Sequence, residues 1–207
     1  MAKTEDINFA EPKQDRAKKT LDDLLETALE LVNEGEIELL TSRTLSKKSG
    51  YSLGTLNKRL NSVDKIFLWA IKQGQKKHLE KISKIIEGHD PTLPIDILLE
   101  KMIKQGFASI MQVNPLIIKF YENRINKFSN QINAHQFSDV LVKPFLQAIE
   151  QDRTGTFRKM PESELRLITR MTYILIERPF VDRDPIAGSE EHHRIVLDNF
   201  LRILGSK

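Results

Sequence analysis

The chain has no cysteine among its 207 residues. That excludes disulfides, thiolate metal sites and cysteine nucleophiles, and it fits a reducing compartment. Glycine and proline are few, 9 and 8, and no tract is of low complexity. No apolar run approaches the roughly 18 residues that a membrane span needs. The opening stretch MAKTEDINFAEPKQD is polar and partly acidic, unlike a signal peptide. A soluble cytoplasmic protein with no membrane partner is therefore expected. The glycines form neither G-x-x-x-x-G-K-[ST] nor G-x-G-x-x-G, so no phosphate loop is present. His78, His89 and His135 stand alone, and Glu190 with His193 gives one Glu-x-x-His where a di-iron bundle needs two and further carboxylates. His192 and His193, being adjacent, point about 100° apart on a helix. We therefore expect no catalytic residue, no metal and no cofactor: the protein reads as a non-enzyme.

What is present is helical periodicity and one concentration of charge. Whole-chain charge is only +3, but it is unevenly spread. Residues 1–42 carry five basic and eleven acidic side chains, Arg43–Lys84 carry eleven basic and two acidic, and the remainder is balanced. The basic stretch, headed by Arg43, overlaps LTSRTLSKKSGYSLGTLNKRLNSVDKI, residues 40–66. Thr41 is placed to cap a helix over 42–49, Gly50 to end it in the left-handed conformation, and Ser52 to cap a second helix over 53–60. Ser62 opens a third, over 63–87. Helix, glycine turn and a short polar, basic second helix are the layout of a helix-turn-helix, and local positive charge is the footprint of phosphate contact.

Around this, residues 1–15 read as a flexible arm. A helix follows from Arg16, with Ala17, Leu21, Leu24, Leu25, Ala28, Leu31 and Val32 on one face and Gly35 at its end. Two prolines and a glycine in 88–94 interrupt the chain. Further helices are expected over 95–113, 115–129 and 131–152, the last kinked at Pro144. Pro161 starts another helix, which Pro179 ends, and a final helix carries residues 195–204. The expected fold is all-α: a helix-turn-helix domain over 16–62, then a helical bundle over 63–207 entered through the 63–87 helix. Apolar residues spread around most of the last two helices, so a two-fold interface is expected there. We assign it Leu165, Ile168, Thr172, Leu175, Ile195, Phe200 and Leu204.

The stretch LELVNEG at 29–35, then Thr41, Leu45, GYSLGTL at 50–56, Asn61-Ser62 and Asp64-Lys65-Ile66 resembles the tetracycline-repressor (TetR) family of transcriptional regulators. The resemblance is specific over about 16–70 and architectural beyond. It implies a homodimer that binds a palindromic DNA operator and releases it when a small molecule enters the C-terminal half, most often as a repressor. On that resemblance Ser52, Leu53, Thr55 and Lys58 face base edges or nearby phosphates, and Thr41 and Lys48 touch phosphate. Three positions depart from the family: Asn57 stands for its Tyr, Leu60 for its Phe and Val63 for its Lys. Asn57 offers a phosphate or adenine bond instead, and Lys65 replaces the lost charge. The family's pocket falls where Phe107, Met111, Phe120, Tyr121, Arg124, Phe137, Phe145, Met171 and Tyr173 lie, a set suited to an apolar or amphipathic effector. Arg124, and Arg170 close to this set in sequence, are placed either to meet an anionic group or to point to solvent. The alternative is a helical interaction protein that keeps the helix-turn-helix and has lost specific DNA binding.

Overall fold

The computed structural model describes residues 15–34, 41–60, 63–113, 117 and 136–206, with backbone only at 33, 59, 60, 63–70, 72, 73, 136 and 137. Residues 1–14 of the expected arm, the Gly35 stop, the Ser62 cap, the 115–129 helix, Ile117 apart, and residues 131–135 of the helix after it lie outside them, while Asp15 already belongs to a helix. The described residues are helical throughout, apart from turns and one isolated antiparallel bridge, Phe157 to Gly205. No helix among them is long and apolar enough to cross a membrane. The chain divides into two compact units, Met1–Gly74 with Val113–Ala134, and Gln75–Gln112 with His135–Lys207.

In the first unit, α1 (Asp15–Asn33) buries the apolar face that its spacing predicts, with Leu24, Ala28 and Leu31 fully inaccessible. Helices α2 (Ser42–Ser49) and α3 (Leu53–Leu60) pack on it through Leu45 and Leu56. Their boundaries follow from caps. The Thr41 side chain accepts the Thr44 N–H at 3.2 Å, and Gly50, at φ 74°, returns its N–H to the Ser46 carbonyl. A side chain at Gly50 would be strained whatever the space. Helix α4 (Val63–Glu87) follows.

The second unit has a continuous apolar core. Leu79, Ile82 and Ile86 of α4 and Leu98, Leu99, Met102, Ile103 and Phe107 of α5 (Ile95–Ile110) meet Phe145 and Ile149 of α6 (Val142–Gln151). Leu165 and Ile168 of α7 (Glu162–Asp182) and Val196, Phe200 and Leu204 of α8 (Glu190–Leu204) complete it. Gly106 permits the close approach of α5 to α7, since a Cβ there would lie 3.0 Å from Ile176 Cδ1. The loop before α7 ties remote ends together. Asp152 accepts the N–H groups of Thr154 and Phe157, Thr156 Oγ1 caps α5 by accepting the Ile95 N–H at 3.0 Å, and Arg158 bonds the Ile203 carbonyl.

Three expectations from the sequence need correction. The described part of the helix expected over 131–152 is a 3-10 turn, Gln136–Leu141, followed by α6. Pro144 sits in the first turn of α6, where its missing N–H would have had no partner in any case, so no kink is required. Met111 is not inward: α5 stops at Ile110, and Met111 is 64% exposed. Nor does Pro179 end α7, which runs on to Asp182 with the proline inside. A proline at 179 leaves the carbonyl of Leu175 without its intrahelical donor. His192 of α8 supplies one, with Nε2 at 2.9 Å from that oxygen. Its Nδ1 accepts the Gly188 N–H at 3.2 Å, so the ring is the neutral Nε2–H tautomer. His192 is buried between Phe107 and Phe180.

Candidate nucleic-acid interface

Helix α3 presents a polar surface, and Leu56 alone is buried among its described side chains. Leu56 is inaccessible, while Ser52, Leu53, Gly54, Asn57 and Lys58 are exposed and Thr55 is half-buried. Ser52 Oγ accepts the Thr55 N–H at 3.2 Å and lies 3.0 Å from Thr55 Oγ1, so the two hydroxyls sit side by side at the helix start. This places a hydroxyl pair and, one turn on, an ammonium along one side, with the Asn57 amide exposed on another, the donors and acceptors that base edges and phosphates need. Thr41, Arg43 and Lys47 are exposed on α2 and its cap. Lys48 is ion-paired with Glu34 at 2.7 Å, both in contact with solvent, which holds the ammonium near the end of α1. The side chain of Lys65 lies outside the described residues.

The turn between the helices is bonded more heavily than its sequence announces. Ser46 Oγ donates to the Tyr51 carbonyl at 2.6 Å, and the Tyr51 hydroxyl donates to Asp23 Oδ2 at 2.6 Å. The Asp23 carboxylate raises the phenol above its ordinary pKa, since ionising it would lose that donor and oppose a negative charge. No motif signals this pair. An aspartate on the polar side of α1 and a tyrosine in the turn become partners only when α1 packs under α3.

The described members of the expected effector set differ in exposure. Phe107 and Phe145 are core, Met111 and Met171 are exposed and Tyr173 is half-buried. Phe120, Tyr121, Arg124 and the side chain of Phe137 lie outside the described residues. A cavity of about 90 Å³ lined by Ile86, His89, Pro144 and Gln151, among others, includes none of them. Arg170, for which the sequence leaves an anionic ligand and solvent both open, holds Asp139 with two bonds of 2.8 and 2.6 Å. Unexpected groups do stand out. Gln75 Oε1 and His78 Nδ1, one turn apart on α4, are buried without a hydrogen-bond partner, as are Ser138 Oγ and His193 Nε2. Burial, and then the charge of Lys81, lowers the His78 pKa. Below about pH 6.5, the unfolded chain takes up a proton there that the folded chain refuses. Stability is therefore expected to decline as pH falls through that region, and His78→Leu to flatten the decline in thermal melts run between pH 7.5 and 5.5.

The expected interface residues separate into two groups. Leu165, Ile168, Phe200 and Leu204 are buried in the chain's own core, while Thr172 and Leu175 are half-buried and Ile195 is exposed. The apolar surface of α7 is a different stripe: Leu167, Met171 and Ile174 are 60%, 54% and 47% exposed. Their spacing of four and three places them on one helical face.

No family model and no curated protein sequence matches the chain. Solved structures do. A protein of Mesorhizobium loti MAFF303099 assigned to the TetR-family transcriptional regulators superposes with a TM-score of 0.65, at 12% identity, over 93% of this chain and 100% of that one. A TetR family transcription regulator from Marinobacter aquaeolei VT8 gives 0.56 at 12% identity, over 93% of this chain and 98% of that one. A TetR-family transcriptional regulator from Haemophilus influenzae RD gives 0.53 at 18% identity, over 93% of this chain and 100% of that one. At such identities the likeness is one of fold: the chain has the all-helical fold of the TetR-family regulators, a helix-turn-helix domain followed by a C-terminal helical domain.

Proposed function

We propose that the protein is a DNA-binding transcription regulator, acting as a homodimer on a palindromic operator and released from it by a small molecule. The observation that carries this reading is the exposed polar and basic side of α3, set by the Ser52 cap and by Leu56 within the most basic stretch of the chain. Two-fold readers place recognition helices about one duplex turn apart, so a single copy of α3 is half a reader. The exposed stripe on α7 supports self-association. The unpartnered atoms of Gln75 and His78 support a ligand with a hydrogen-bonding group, because an unsatisfied buried polar atom costs on the order of 1–3 kcal/mol. Repression follows the family resemblance.

The test is binding to the DNA upstream of its own coding sequence across a salt series, with random DNA as control. Tight, selective, salt-sensitive binding by two chains per site is expected. Weak binding, equal on both DNAs and unimproved on fragments selected from a random library, would instead favour the interaction protein. Lys58→Ala is expected to weaken binding to all sequences and to reduce the slope of log K against log salt by about 1. An unchanged slope would remove Lys58 from the phosphate contacts.

A further inference from the structure

We propose that Tyr51 and Asp23 form a pin that fixes the rotation of α3, making both positioning residues for base reading; this rests on the DNA-binding reading above. Helix α3 has eight residues. Among its described side chains Leu56 alone is buried. Apolar burial is non-directional, so it fixes the distance of a short helix better than its rotation. A rotation of roughly 20° moves a side-chain tip about 5 Å from the axis by about 2 Å, more than a hydrogen bond tolerates. Ser52 and Thr55 are therefore served by a directional contact close to the helix start.

Tyr51 supplies it from the adjoining position. Its hydroxyl reaches Asp23 of α1, 28 residues away, while its carbonyl is held by Ser46 of α2 and its N–H lies 3.4 Å from Ser49 Oγ. The residue just before the Ser52 cap is thus tied to both other helices of the motif. Asp23 also sets a polarity. An acid beside a DNA-facing turn repels phosphate, so its presence works against general affinity while its hydrogen bond serves orientation.

The experiment compares the full-length chain with Tyr51→Phe, Asp23→Ala and Asp23→Asn, on a fragment selected from a random-sequence library by the wild type and on random DNA. Tyr51→Phe should lose about tenfold on the selected fragment and nothing on random DNA, with the salt slope unchanged. Asp23→Ala should lose the same on the selected fragment while holding or gaining on random DNA. The double variant should lose no more than either single change. Asp23→Asn, which keeps an acceptor oxygen, should bind nearly as the wild type. Equal loss on both DNAs, or a slope reduced by about 1 as for a direct phosphate contact, would overturn the pin. So would wild-type selectivity in Tyr51→Phe. If the wild type selects no fragment, the DNA reading fails. The pin is then judged by amide exchange at Ser52–Thr55, which should accelerate at least tenfold in Tyr51→Phe; unchanged exchange would overturn it.

Discussion

On the proposed two-fold reading, Met171→Glu should run as a monomer of 23.9 kDa in size-exclusion chromatography with light scattering, where the unchanged chain runs at twice that mass. Met171 is the centre of the α7 stripe, flanked by Leu167 and Ile174. Burying one such side chain is worth about 1.5–3 kcal/mol. In a two-fold interface every contact residue appears twice, so the stripe contributes on the order of 10 kcal/mol before the entropy of association is subtracted. Glutamate at 171 removes that burial and brings two carboxylates together near the axis. Loss of the dimer should then weaken operator binding by about 100-fold or more, because two half-sites would have to be occupied independently. Lys101→Glu, at an exposed position of α5, should leave the mass unchanged. A Met171→Glu dimer of full affinity would place the interface elsewhere.

On α7 the sequence does not distinguish one apolar face from the other. Both Leu165/Ile168 and Leu167/Met171/Ile174 follow helical spacing on α7, and periodicity cannot tell which face meets the chain's own core. That depends on the direction from which α5, α6 and α8 approach, set by contacts such as Gly106 against Ile176. The helix-turn-helix was far more legible because its signals are local. Thr41, Gly50 and Ser52 act within a few residues of themselves, and the boundaries they imply are those observed. Tyr51 with Asp23, and Arg170 with Asp139, are the opposite case. Each needs a partner about 30 residues away, and neither leaves a pattern in the sequence.

Pro179 is the clearest such failure, and it yields the largest expected loss of stability. Read alone, a proline at 179 stops a helix; here α7 continues because His192 bonds the carbonyl that the proline abandons. His192→Ala should therefore cost about 3–5 kcal/mol. It leaves the Leu175 carbonyl and the Gly188 N–H unpaired and opens a void against Phe107 and Phe180. For a chain of this size that is a fall in Tm of about 10 °C. The carbonyl's share can be isolated. Pro179→Ala restores a backbone N–H four residues after Leu175, so the helix can bond its own oxygen. In that background the same His192→Ala change should cost about 1–2 kcal/mol less. Full additivity would mean that His192 acts through packing alone. A reduced penalty would show that α8 carries, in one side chain, the hydrogen bond that lets α7 pass through its proline.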